Sequence, residues 1–208
     1  MGPLRTGFVY GLIAVCLTLA AGFRFAYLDP ASTPEWVLAS AETFLPLLAA
    51  AAQIFLGILA AIRVRPVNAD PEVPYRAILV RDCTLAAVVV AVMVGVTLLL
   101  MTTLHATIFA NDLRDYANDV APRIAAYVNE TGQELRDPPP TTSAAQIERN
   151  LQPPVLRDLG RSIFNLVLRA TLIGALGAVV GLIRGLSHRG LPRGAGPATP
   201  GAGKPREG

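Results

Sequence analysis

Four stretches of this chain are apolar on every side, and polar segments separate them. They cover residues 7–28 (GFVYGLIAVCLTLAAGFRFAYL), 39–62, 83–104 (CTLAAVVVAVMVGVTLLLMTTL) and 163–183. Each is close to the roughly 20 apolar residues that a helix needs to cross a bilayer core. A surface helix of a soluble domain would keep one polar face, because water gives no reward for apolar side chains all round. The pattern therefore predicts four transmembrane helices and an all-α fold. No internal repeat is visible.

The segment between the third and fourth runs, residues 105–162, follows a different rhythm. Leu113, Tyr116, Val120, Ile124, Tyr127 and Val128 recur at helical spacing among charged residues, which predicts an amphipathic helix continuing from the third span or docked beside it. Pro122 fits if Asp119 caps a new helix there, and otherwise marks a kink. The stretch RDPPPTT, residues 136–142, forces an extended break. Ser143 to Gln146 then resembles a capping box that opens a short helix ending before QPP. Some 50 residues of this kind predict an amphipathic cap lying on the membrane rather than an independent domain. Residues 187–208 are rich in Gly, Pro and Arg and are expected to be a disordered tail behind a membrane domain spanning residues 1–186.

Composition strengthens the membrane assignment. Of 208 residues, 52% are hydrophobic and 16% charged, against about 25% charged in ordinary soluble domains. The bias toward Arg, Ala and Pro points to a GC-rich bacterial genome. Basic residues set the orientation, because they are retained on the cytoplasmic side. With the N-terminus inside, cytoplasmic segments hold Arg5, Arg63, Arg65, Arg76, Arg81, Arg184, Arg189, Arg193, Lys204 and Arg206, and the first outer loop holds none. The long loop is mixed, with six basic and eight acidic residues. The expected location is the bacterial inner membrane, multi-pass, with both termini cytoplasmic and the long loop extracytoplasmic. The first run exceeds the usual core of a cleaved signal peptide, so it reads as a span.

Candidate chemistry is sparse. On the last run Ala170, Gly174, Gly177, Gly181 and Gly185 fall within a stripe about 80° wide at 100° per residue. Small residues let helices approach closely in lipid, so this stripe predicts a flat groove for another helix. The partner helix belongs either to the same chain or, in a homo-oligomer or larger membrane complex, to another one. On the second run Glu42, Pro46, Ala49, Gln53, Gly57 and Ala60 share a face, so Gln53 is expected to bond across to another helix. Arg24, Glu42, His105 and Arg169 are placed near the outer helix ends, where Glu42 can bridge Arg24 or Arg169. Arg24, Glu42, Gln53 and Arg169 are the candidate intramembrane polar set.

Cys16 and Cys83 lie at different depths and read as buried, free structural thiols. Two cysteines with His105 and His188 give no metal-ligand spacing, so no cofactor is expected. The sequence contains no phosphate-cradling loop, nucleophile elbow or paired catalytic carboxylates. Asn129 opens a glycosylation-type NET triplet, a short match of little weight. No nucleic-acid partner is expected, and the bilayer itself is the expected contact.

The order of segments carries a resemblance. An early YGLIA (10–14), FLGILAAIRVR closing the second run (55–65), YRAILVRD entering the third (75–82), a long polar connection and a glycine-rich last run resemble a family of uncharacterised four-helix bacterial membrane proteins, known as a domain of unknown function. The long proline-broken loop and basic tail depart from that pattern. The resemblance implies a small integral inner-membrane protein with no assigned activity and no functional residues to carry over. The reading that follows is a non-enzymatic accessory, assembly or oligomerising subunit. The alternative is a small transporter or channel with a polar path through Gln53, Glu42 and Arg169.

Overall fold

Each of the four apolar runs is helical in the computed structural model, which describes residues 2–65, 73–133, 140–155 and 159–187. Helix α1 spans Pro3–Gly22, α2 Glu35–Arg63, α3 Tyr75–Thr107, α4 Ala110–Gln133, α5 Ala144–Leu151 and α6 Leu159–Ser187. The described residues form no strand. Helices α1, α2, α3 and α6 are each long and apolar enough to cross a membrane. Of the expected disordered tail, residues 187–208, Ser187 closes α6 and the rest lies outside the described residues, as do residues 136–139 of the proline break.

The helices overrun the apolar pattern at most ends, because backbone hydrogen bonding continues through polar boundary residues that an apolar run leaves out. The exception is the first run, whose helix stops at Gly22. A single 3-10 turn, Arg24–Ala26, follows it. The reason is local: Phe23 and Phe25 turn inward and pack edge-on against His105 and near Phe109, with ring centroids 5.4 to 5.9 Å apart. Aromatic pairs of this geometry add roughly 0.5–1.5 kcal/mol beyond burial.

Valine-rich α3 is the central element. It runs along α6 on one side and α1 on the other, while α2 lies across from it and touches α1, α3 and α6. Helices α1 and α6 do not meet. The core where these helices converge contains Ala14, Ala60, Ala61, Leu79, Cys83, Ala86 and Val90, all fully buried. Most of these side chains are small, so the helices pack close together and dispersion contacts hold them.

The outer surface is the reverse of a soluble protein's. Phe8, Leu47, Leu48, Phe55, Phe164 and Val167 are all more than half exposed, and only 22% of the apolar window of α6 is buried. Contiguous apolar surface on this scale is compatible with contact with a lipid bilayer and marks a multi-pass membrane protein.

Helices α4 and α5 close one end of the bundle, hereafter the capped end. A turn at Ile108 and Phe109 separates α4 from α3, so α4 does not prolong the third span, and it packs on α2 and α5 more than on α3. Tyr116, Val120 and Ile124 pack on Leu38 and Ala39 of α2, with Ile147 and Leu151 of α5 against the same cluster. Pro122 lies inside a continuous α4, so no new helix is capped at Asp119. The Ser143 capping box is present: Ser143 Oγ accepts from Gln146 N–H and Gln146 Oε1 from Ser143 N–H. Asn129 clamps the two cap helices, accepting from Thr142 N–H at 2.8 Å and donating to its carbonyl at 2.9 Å.

Candidate functional site

The glycine face of α6 is turned onto α3 of the same chain. Gly174, Gly177, Gly181 and Gly185 are all buried. A methyl group at Gly181 would stand 2.7 Å from Val80 Cα and 3.0 Å from Leu79 O, and one at Gly177 2.9 Å from Cys83 O. These are backbone atoms, which cannot step aside. At Gly174 and Gly185 the nearest atoms belong to side chains, Val88 Cγ2 and Arg76 Cγ. Of the two alternatives, a helix of the same chain or of another, the face meets α3 of the same chain, and a partner there would have to displace α3.

The polar candidates separate into two groups along the bundle. At the capped end Arg24 embraces Glu42 bidentately, Nε donating to Oε1 at 2.7 Å and Nη2 to Oε2 at 2.5 Å. Tyr116 O–H donates to the same Oε1 at 2.9 Å, tying α4 to α2 and, through Glu42, to the turn after α1. The Glu42 side chain is 8% exposed, so these three donors replace the water it has lost. Burial, reinforced by the Glu42 charge, pushes the Tyr116 phenol up and keeps it a donor. Glu42 thus pairs with Arg24 and not with Arg169.

Gln53 and Arg169 form the second group, about 16 Å of helix below Glu42 and about 15 Å above Arg63. Gln53 Nε2 donates to Thr18 Oγ1 at 3.1 Å, and Thr18 O–H donates in turn to Ala14 O at 2.7 Å. Arg169 Nη1 donates to Gln53 Oε1 at 3.2 Å. One amide therefore joins α1, α2 and α6. Arg169 was expected near the outer helix ends, level with Glu42. It lies beside Gln53 because α2 and α6 run parallel and meet again one turn on, at Gly57 and Ile173.

Three cavities adjoin Arg169. One of about 170 Å³ has Thr18, Arg24, Gln53 and Arg169 among its lining, and another of about 170 Å³ runs between α3 and α6 past Thr102, Ser162 and Asn165. The third, about 440 Å³, is an apolar groove between α2 and α6 with Gln53 and Arg169 among its lining. Among the described residues no carboxylate forms an ion pair with Arg169.

At the opposite end a further contact appears that the arginine pattern concealed. Arg184 Nη1 donates to Ala61 O at 3.0 Å and Nη2 to Val64 O at 3.1 Å. It satisfies one orphan carbonyl in the last turn of α2, that of Ala61, and the carbonyl of the C-cap residue Val64. Cys83 Sγ also donates to Ala61 O, at 3.2 Å; both cysteines are free, and Cys83 is buried as expected whereas Cys16 is exposed on the outer face of α1. Read from sequence, Arg184 is one more topology-setting arginine. Its position in the last turn of α6 gives no sign that it reaches another helix.

Among the described residues no group of three or more His, Cys, Asp or Glu side chains is placed to hold a metal ion. The chain matches no protein-family model, no curated protein and no solved structure.

Proposed function

We propose that the protein is a non-enzymatic accessory or assembly subunit of a bacterial cytoplasmic membrane, with both termini inside and the α4–α5 cap outside. The observation that carries this reading is the plug beyond Gln53. The largely apolar cavity that Arg24, Gln53 and Arg169 help to line is followed, toward the chain termini, by Leu56, Ala60, Val90 and Val94, all buried together. A conducting path needs continuous polar lining, whereas a closed interior with an apolar exterior suits a protein that works by docking. Kinship with the four-helix family of unknown function belongs to the same proposal and adds no activity to it.

Purification of the full-length protein from its own membranes in mild detergent tests the reading. It predicts one partner retained at fixed stoichiometry through successive columns. Recovery of the chain alone would contradict it.

Transport is the second reading, and the shared cavity of Arg24, Gln53 and Arg169 favours it. It requires the plug to open. Anion flux into proteoliposomes that is lost in Gln53→Leu would establish it against the assembly reading.

A further inference from the structure

We propose that the groove between α2 and α6 seats a transmembrane helix of a different protein, and that an acidic side chain on that helix pairs with Arg169. This names the partner chemistry for the assembly reading and rests on it.

Arg169 is a half-buried cation whose one hydrogen bond among the described residues goes to a neutral amide. A guanidinium carries five donors and is always charged. A cation at the centre of a bilayer costs roughly 2.5–3.5 kcal/mol even by insertion scales, and an acid there costs a similar amount. Each relieves the other when they pair.

Depth selects the occupant. Gln53, the residue that Arg169 touches, lies about 16 Å of helix from Glu42 and about 15 Å from Arg63, and Arg24, itself paired with Glu42, lines a cavity that it shares with Arg169. A hydrocarbon core is about 30 Å thick, so lipid phosphates lie about half a core away. The Arg169 side chain is already committed toward Gln53. A carboxylate on a crossing helix reaches that depth, and a headgroup does not.

The groove fits such a helix. It has a volume of about 440 Å³ and runs from Arg169 toward Val179. Ile54, Leu172, Leu176 and Val179 along it are 38% to 56% exposed, leaving apolar ridges without a neighbour. A second copy of this chain does not supply the acid. The acids within its own spanning helices that are buried, Glu42 and Asp82, are paired with Arg24 and Arg81 and lie toward the helix ends.

The test uses the full-length protein in phosphatidylcholine vesicles, donor-labelled, with acceptor-labelled leucine–alanine peptides of about 20 residues. The peptides carry Asp, Asn or Leu at the centre. Energy transfer is expected to report association of the Asp peptide about tenfold tighter than the Leu peptide. Arg169→Leu removes that preference and Arg169→Lys keeps it. Leu176→Trp fills the groove with Arg169 intact, and it weakens the Asp peptide as well.

Equal binding of the Asp and Leu peptides, or a preference that survives Arg169→Leu, overturns the proposal. So does phosphatidylglycerol in the vesicles erasing the Asp preference, since an anionic lipid would then be the occupant. Because the probe is a designed peptide, its failure removes this groove and leaves assembly through another face. Failure to retain a native partner removes the assembly reading without altering the peptide result.

Discussion

The Arg169 guanidinium donates to Gln53 Oε1 at 3.2 Å, and the amide nitrogen of that glutamine donates to Thr18. The two bonds are unequal in what they protect. Thr18→Val removes one interhelical hydrogen bond, which in membrane proteins averages about 0.6 kcal/mol. Gln53→Leu also strips Arg169 of its acceptor and is expected to cost more, roughly 1–3 kcal/mol. Unfolding titrations in mixed micelles measure both. Equal losses would show that Arg169 finds another acceptor.

Close approach of α6 to α3 makes a second, opposite pair of predictions. Gly181→Ala places a methyl 2.7 Å from Val80 Cα, and overpacking of this kind costs roughly 1–3 kcal/mol. Gly160→Ala meets nothing within 4 Å and gains up to about 1 kcal/mol from helix propensity. Thermal unfolding of the two variants should move in opposite directions. A neutral Gly181→Ala would mean that the helices can separate at no cost.

At the capped end, Arg24→Met leaves the Glu42 carboxylate buried without its cation and is expected to cost about 3–5 kcal/mol. Arg24→Met with Glu42→Met together should recover most of that loss, as paired removal of a buried ion pair does. A double-mutant cycle read by unfolding checks this.

Tyr116 adds a pH dependence to the same corner. Its phenol is held above its ordinary value of 10.0 by burial first and Glu42 second. For an acid raised on folding, the stabilisation is complete below the unfolded value and falls as pH rises past it. Emission from Trp36, the chain's one tryptophan, should report loosening of the cap above about pH 10. Tyr116→Phe should flatten that dependence. A shift already complete at neutral pH would contradict the assignment.

Hydropathy made the four spans legible, because an apolar run of that length has one stable form in lipid. The capping box at Ser143 and the amphipathic face from Tyr116 to Ile124 were legible for the same reason: local spacing decides them. What depends on how helices lie against one another was not. The spacing of Gly174 to Gly185 predicts a flat groove and leaves its occupant open, whereas the fold supplies α3. Counting residues from the ends of the apolar run put Arg169 level with Glu42. The parallel alignment of α2 and α6 places it beside Gln53. Arg184 looks like its neighbours in the sequence because a guanidinium's reach to a carbonyl on another helix leaves no periodic trace.

The central claim is a bundle that crosses the bilayer four times with its cap on one side. Cysteine accessibility tests it directly in a background where Cys16 and Cys83 are alanine. Single cysteines then replace Ala31 between α1 and α2, Thr141 before α5, and Val73 before α3. In intact cells an impermeant maleimide should label positions 31 and 141 and reach position 73 only after the membrane is opened. Labelling of 73 together with 31, or of 31 and 141 from opposite sides, would contradict the account.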